Sequence, residues 1–582
     1  MPHRPTLIDR LMCVAAKAHA RQVYRRFCAA TRQATAIQER VLLAKIRRNA
    51  DSQFGRDYGF AHIHSPADFV RQVPILRYED HAPYIEKLKA GDFSALLGPG
   101  QRVHMFALTS GTTATPKYIP VTDAFLKEYR RGWNAFGIKA LLDHPHAILR
   151  PIAQVSSRMD ESRTAGGIPC GAITGLMAAT QKRLVRKYYV TPACIAHIDD
   201  PAAKYYTIMR LAVPSDVAFL ITASPATQLK LARTADEHRE SLIRDIHDGT
   251  LLPDLDVPAA VRQALRPRLK ADPAAARRLE ELVRRRGRLL PRDYWNLGFL
   301  ANWTGGTMGL YLRDFPEYFG DVPVRDIGLL ASEGRVSIPV EDGTPAGILD
   351  VTSHFIEFVP RDELETSKPI ALRSHQVEVG QEYFVLLTTS SGLYRYDLGD
   401  LVRVVGFAGE TPIIEFLNKG AHTCSLAGEK LTEHQVILAM KTAVETTGVT
   451  VTNFILAPRW GSPPHYTLHI EPDAQARKVL SGTGEGSAER TPKASGEVAP
   501  ATSRGLADLA HELDRHLQAV NIEYASRRAS DRLGPLRLNL LPEGFLARWD
   551  LDQANARRPG NEQYKHRYLF TRPGEDESFP AS

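Results

Sequence analysis

Thr109-Ser110-Gly111-Thr112-Thr113-Ala114-Thr115-Pro116-Lys117 is the segment on which the reading of this chain turns. Glycine lets backbone N–H groups approach phosphate oxygens without a side chain in the way, the hydroxyls donate further hydrogen bonds, and the lysine adds positive charge. Such a loop suits the polyphosphate of ATP. It is not a Walker A loop, which needs a second glycine directly before the lysine and a helix directly after it. Here Pro116 precedes Lys117, and Tyr118-Ile119-Pro120-Val121 reads as extended. Val103 to Leu108 upstream reads as a short buried strand, so the loop is expected to join two strands. A helix is expected to start near Thr122 as N-cap, with Phe125, Tyr129, Trp133, Phe136 and Ala140 on one face. Clusters of Ser, Thr and Gly also make ordinary turns, so the segment alone leaves both readings open.

The chain has 582 residues, long for one core, and two or more domains are expected. Hydrophobic residues at 43% and charged residues at 24% are globular values and exclude a mostly disordered chain. The formal charge of +8, from 74 basic and 66 acidic residues, suits anionic ligands such as nucleotides without indicating nucleic acid. Cys13, Cys28, Cys170, Cys194 and Cys424 are scattered and show no CxxC pairing, so neither a disulfide framework nor a zinc site is indicated, and a reducing cytoplasm fits. No apolar run approaches the roughly 18 residues of a membrane span. The first 38 residues are rich in arginine, with Asp9 the one acid, but lack serine; an amphipathic surface helix is expected there rather than a transit peptide.

Helical patterns fill the first hundred residues, after which strands and helices alternate as in an α/β protein. Arg284-Arg285-Arg286 lies in a stretch dense in Ala, Leu and Arg and reads as the solvated face of a helix. From Tyr383 a β meander is expected: Tyr383 to Thr389, a Ser390-Ser391-Gly392 turn, Leu393 to Leu398, then Leu401 to Phe407. A smaller unit is expected to begin at residue 419. Its first helix opens at Thr432 with Gln435 completing a capping box and stops near Gly448; strands follow at Val449 to Ala457 and Tyr466 to Ile470. Residues 473 to 504 read as a flexible surface insertion. Leu506, Leu509, Leu513, Leu517 and Val520 fall at helical spacing, and a strand follows near Leu536 to Leu540.

Two carboxylates complete a plausible ATP site. Glu333, in Ala331-Ser332-Glu333-Gly334, follows a strand-like Asp326 to Leu330 and could hold Mg²⁺ through a hard oxygen ligand; a solvated loop glutamate is the alternative. Asp400, beside Gly399 in an expected hairpin turn, could accept hydrogen bonds from ribose hydroxyls, although Gly-Asp is also a common turn dipeptide.

Thr109 to Lys117 resembles the phosphate-loop motif of the adenylate-forming superfamily of acyl-CoA ligases, peptide adenylation domains and luciferase. More specifically, the chain resembles the Gretchen Hagen acyl acid-amido synthetases, the auxin- and jasmonate-conjugating family, and their bacterial relatives. The matching segments run almost end to end: Val73-Pro74-Ile75 with Tyr78-Glu79-Asp80; Lys117-Tyr118-Ile119-Pro120; Thr304-Gly305-Gly306; Ser332-Glu333-Gly334; Phe355 to Pro360; Tyr394 to Asp400 with Val404 to Phe407; Gly428 to Glu433; and Asn521 to Tyr524 with Arg527-Arg528. Each is weak alone, and their order is specific. Ala114 and Tyr118 stand where many ligases have glycine, which favours the amido-synthetase branch.

The resemblance implies an adenylate-forming α/β fold: a large N-terminal domain over 1–418, with helix-flanked β-sheets and a β-barrel-like part, and a small mobile α/β domain over 419–582. ATP would bind between them. Ser110, Gly111, Thr112, Thr113 and Lys117 would surround phosphate with Thr109 at the loop's start, Ser332 would lie beside the adenylate, Glu333 would bind Mg²⁺, and Asp400 would hold ribose. Lys565 falls where the family's closing catalytic lysine would stand. The implied reaction is activation of a small carboxylic acid as an acyl adenylate with release of pyrophosphate, then transfer to an amine, most simply an amino acid. Transfer to CoA or another thiol is one alternative, and a nucleotide- or nucleic-acid-binding protein without acyl chemistry is another. The sequence specifies neither the acid, nor the acceptor, nor the oligomeric state, and it calls for no membrane partner.

Overall fold

The computed structural model describes residues 7–109, 116–181, 183–364, 366, 368–420, 423, 424, 426, 427, 429, 431–449, 451–472, 503–529, 531–557 and 566–580. The chain divides into two compact units, one of Met1–Leu417 with Gly560–Gln563 and one of Asn418–Pro559 with Tyr564–Ser582.

The first unit opens with helices, including Leu7–Thr31, Ala34–Arg48 and Tyr78–Ala90. Three sheets follow. A four-stranded sheet pairs Val103–Thr109 with Lys117–Thr122 antiparallel and adds Pro169–Gly171 and Ser162–Arg163 on its other side. The second sheet is wholly parallel, in the order Ile152–Gln154, Phe219–Ile221, Phe299–Asn302, Val324–Asp326. Its strands are short apolar runs, as a sheet covered by helices on its faces demands. Tyr206, Leu229, Leu242 and Leu279 from the intervening helices share one core with Leu220 and Leu300 of its strands.

The third sheet has seven strands in a linear order: Leu372–Arg373, Phe355–Pro360, Glu382–Thr388, Tyr396–Ala408, Thr411–Lys419, Gly347–Leu349, Ser337–Ile338. This sheet occupies the part expected to be barrel-like. The expected meander is corrected here in one respect. The two strands foreseen at Leu393 to Leu398 and Leu401 to Phe407 are one strand, Tyr396–Ala408, and no hairpin turn separates them. Leu386 pairs with Asp397 and Phe384 with Leu401, so three residues of the longer strand face one of its neighbour. Gly399, at φ +70°, supplies the left-handed backbone that such a bulge requires.

Local signals at helix starts held. Thr122 caps the helix Asp123–Asp143 by accepting from the Phe125 N–H, and Phe125, Tyr129, Phe136 and Ala140 are buried. Arg284, Arg285 and Arg286 end the helix Pro273–Arg286, exposed and paired with Glu281 or Asp293, as a solvated face should be. Ser224 caps the helix Pro225–Glu237.

In the second unit Thr432 and Gln435 form the expected capping box of the helix Glu433–Thr447, which ends at Gly448 with φ +67°. Strands Val451–Arg459, His465–Pro472 and Arg537–Leu540 make one sheet, antiparallel then parallel. Leu506, Leu509, Leu513 and Leu517 are buried along the helix Ser503–Val520. Of the expected insertion, residues 473–502 lie outside the described residues. Among the described residues no helix is long and apolar enough to cross a membrane.

Candidate active site

Thr109 and Lys117 are direct register partners at the ends of two antiparallel strands, so the phosphate-loop segment leaves and re-enters one sheet at a single point. Ser110, Gly111, Thr112 and Thr113 themselves lie outside the described residues, as does Lys565. The half-buried Lys117 points its ammonium at two aromatic rings, 5.5 Å from the Tyr78 centroid and 6.0 Å from that of Tyr396, and donates to the Tyr396 hydroxyl at 3.5 Å. Tyr78 is fixed in turn because its hydroxyl accepts from the Tyr118 N–H at 2.8 Å.

Ser332 and Glu333 occupy the two central positions of a tight turn. Ala331 and Gly334 exchange both backbone hydrogen bonds, at 2.9 and 3.2 Å, and Leu330 bridges Arg335. The strand before this turn is Val324–Asp326, shorter and earlier than the expected Asp326 to Leu330, so Glu333 sits on a turn and not at a strand end. Asp326 spends its carboxylate on Thr304 and the Gly328 N–H, which bends the chain out of the sheet. Glu333 is only 7% exposed. Burial, and after it the charge of Glu333, hold the Tyr396 hydroxyl far above the ordinary tyrosine range. Tyr396 therefore stays a neutral phenol, to which Lys117 donates while the charge of Glu333 acts on it.

Asp400 follows Tyr396 on the same strand, just after the Gly399 bulge, and is 3% exposed. It thus occupies a bulge, not the hairpin turn expected from its glycine neighbour. The strand's entry is held by Arg395, a non-glycine residue at φ +43°, where the left-handed backbone costs about 1–2 kcal/mol. Its guanidinium pairs with buried Glu357 at 3.1 Å and donates to the Val73 carbonyl at 2.8 Å, while its own N–H and C=O bond Thr388 and Leu76.

The structure therefore places Lys117, the register partner of Thr109, against Tyr396, whose strand also carries Asp400, while the charge of Glu333, beside Ser332 in its turn, acts on the same phenol. Tyr78 and Tyr396, which the sequence marks only as aromatic residues within longer motifs, are the side chains that hold Lys117. Tyr129 is buried and Trp133 half-buried beneath the Arg335 guanidinium, 4.5 Å from the Trp133 ring, so both serve core packing.

Mg²⁺ fits this donor set in one manner. Among the described residues no cluster of three or more His, Cys, Asp or Glu could hold a metal. Glu333 offers a single hard oxygen ligand, which matches an ion carried largely by substrate phosphates and water.

This architecture matches that of acyl acid amido synthetases: the solved AtGH3.15 acyl acid amido synthetase in complex with 2,4-DB superposes with a TM-score of 0.77 at 19% identity, covering 96% of this chain and 94% of that one. Family models for the GH3 N-terminal, central and C-terminal domains match residues 23–324, 347–419 and 434–573. The chain belongs to the GH3 family. Among its curated relatives, the jasmonoyl–L-amino acid synthetase JAR6 of Nicotiana attenuata is 26% identical over 538 residues, spanning 88% of this chain and 87% of the relative. The probable indole-3-acetic acid-amido synthetase GH3.4 of Oryza sativa subsp. japonica is 27% identical over 567 residues, spanning 92% and 86%.

Proposed function

We propose that this chain is an ATP-dependent acyl acid-amido synthetase that activates a small carboxylic acid as its acyl adenylate and transfers the acyl group to an amine, most simply an amino acid. The observation that carries this reading is Lys117, at the end of the hydroxyl-rich segment, held on the neutral phenol of Tyr396, in a chain whose three GH3 domains run nearly end to end.

In the first step a carboxylate oxygen attacks the α-phosphorus of ATP and pyrophosphate leaves. Two anions must meet, so the site has to supply positive charge and hydrogen-bond donors where charge shifts. Lys117 and the Ser110–Thr113 segment are assigned to the phosphates, Ser332 to the adenylate, Asp400 to the ribose and Lys565 to the closing cation. Mg²⁺, held by Glu333, would neutralise phosphate charge when bound. In the second step the amine nitrogen attacks the acyl carbonyl, AMP leaves, and the amine loses a proton. The scattered cysteines, of which Cys28, Cys170, Cys194 and Cys424 form no disulfide, fit a cytoplasmic enzyme.

The test is pyrophosphate release from ATP and Mg²⁺ with a panel of aryl, indolyl and fatty acids, followed by amino-acid and thiol acceptors with the best acid. Acid-dependent pyrophosphate and amino-acid-dependent AMP are expected. AMP release driven by CoA alone overturns the amide reading, and no acid-dependent release from any acid overturns the enzyme reading.

A further inference from the structure

Against the Ser332-Glu333 turn lies a buried imidazole that the proposed chemistry does not use. His354 is fully buried and stacked on Phe125, with ring centroids 5.8 Å apart. Neither of its nitrogens has a hydrogen-bond partner among the described residues. Each such orphan costs about 1–3 kcal/mol, so the ring's position calls for an explanation. Nδ1 stands 3.7 Å from Glu128 Oε2, itself without a hydrogen-bond partner. Nε2 faces Gly334: a Cβ built there would lie 2.6 Å from Nε2 and 2.9 Å from Cδ2. Any side chain at 334 would be driven into the ring, so it is this contact that requires the glycine.

The ring abuts a buried network without a hydrogen bond to it. Glu128 Oε1 accepts from Lys45 Nζ at 2.7 Å and from the Ser390 hydroxyl at 2.8 Å. The Ser390 carbonyl accepts from Thr122 at 2.9 Å, the cap of the helix that follows the phosphate loop. At the other end of the turn Arg335 packs on Gly132 of that same helix, where a Cβ would lie 2.4 Å from the arginine Cδ. The turn thus touches the Asp123–Asp143 helix directly through Arg335 and indirectly through His354 and Glu128.

We infer that His354 is a positioning residue for Glu333: its contact with Gly334 sets where the turn rests, and the Glu128 network ties that resting place to the helix behind the phosphate loop. This rests on the assignment of Glu333 to the metal–ATP side of the proposed reaction. Removing a group that orients a metal ligand costs about 10–100-fold in metal affinity or activity.

The experiment compares the full chain with Gly334→Ala, His354→Ala, His354→Gln and the double variant Gly334→Ala/His354→Ala. MgATP binding is measured by calorimetry, Mg²⁺ dependence and acid KM by pyrophosphate exchange, and integrity by thermal melting. Gly334→Ala is expected to weaken MgATP binding at least about tenfold and to raise the Mg²⁺ requirement, with the acid KM unchanged. His354→Ala is expected to lose MgATP affinity to a similar degree, and the double variant to be no weaker than His354→Ala alone, because the ring that the added methyl group would strike is already gone. Wild-type MgATP affinity in Gly334→Ala or in His354→Ala, or losses that simply add in the double variant, overturns the inference, as does a change in melting alone. Wild-type protein that binds MgATP but exchanges no pyrophosphate with any acid overturns the proposed function, and the binding comparison still decides the role of His354.

Discussion

The Lys117 ammonium and the Tyr396 hydroxyl stand 3.5 Å apart, on strands from two different sheets. The lysine is therefore placed by a neutral phenol, and no carboxylate is hydrogen-bonded to it among the described contacts; its charge remains available to an anion. Lys117→Met is expected to lower the rate of acid-dependent pyrophosphate exchange about 10²-fold, the usual loss for one group that stabilises transition-state charge. Tyr396→Phe removes one long hydrogen bond from the charged ammonium, worth about 1.5 kcal/mol, so a loss of about tenfold is expected. A Tyr396→Phe loss as large as that of Lys117→Met would make the phenol more than a support.

Asp400 is assigned to the ribose hydroxyls, and this gives a test that does not depend on the acid. Wild-type protein should bind MgATP more tightly than 2′,3′-dideoxy-MgATP, by about 1.5–3 kcal/mol for hydrogen bonds to a charged acceptor. Asp400→Ala should bind both alike. Retained discrimination in calorimetry would remove Asp400 from the site.

Gly132 faces Arg335 so closely that a Cβ would lie 2.4 Å from its Cδ and 3.1 Å from its Nε. Arg335 is fully buried, and burial draws its guanidinium down to about 10. Gly132→Ala should cost about 1–3 kcal/mol as overpacking, read as a lower urea midpoint, although alanine is the better helix former. An unchanged midpoint would show that Arg335 yields freely.

His81 predicts acid sensitivity in the first unit. Its Nδ1–H donates to the Arg77 carbonyl at 3.0 Å and its Nε2 accepts from the Tyr394 N–H at 3.1 Å, so both nitrogens are matched to the neutral ring. Burial pulls its pKa from 6.5 to about 4, against the opposing pull of the Arg77 carbonyl and Asp80. The unfolded chain takes up a proton below pH 6.5 that the folded chain refuses until about pH 4, so stability falls as pH falls through that window. Between about pH 7 and pH 5 this residue contributes roughly 2 kcal/mol of loss. Denaturation curves of His81→Gln should show a correspondingly smaller difference between those two conditions, and an equal difference would place the acid response elsewhere.

What the sequence made legible was local. Thr122 and Thr432 announce helix starts because a hydroxyl three residues before an N–H suffices to cap it, whatever lies beyond. Gly399-Asp400 misled because a glycine in the left-handed region looks the same in a hairpin and in a bulge. The difference is set by Glu382–Thr388, which pairs with the chain on both sides of it. Glu333, Lys117 and Asp400 were visible as residue types suited to ATP. The contact of Lys117 with Tyr396 and the closeness of His354 to the turn arise across tens to hundreds of residues, which no spacing rule encodes.

The bulge at Gly399 has a further consequence for how such a site is acquired. Three residues stand against one, an excess of two, and an even excess leaves the inside–outside alternation in phase. Tyr396 and Val402, either side of it, face the same core as Leu387 and Tyr383 opposite. The aspartate thus rides on a central strand of the sheet yet outside its register: a two-residue insertion or deletion there leaves the core side chains on either side facing the same neighbours, so the position of Asp400 and the pairing of the sheet are set separately.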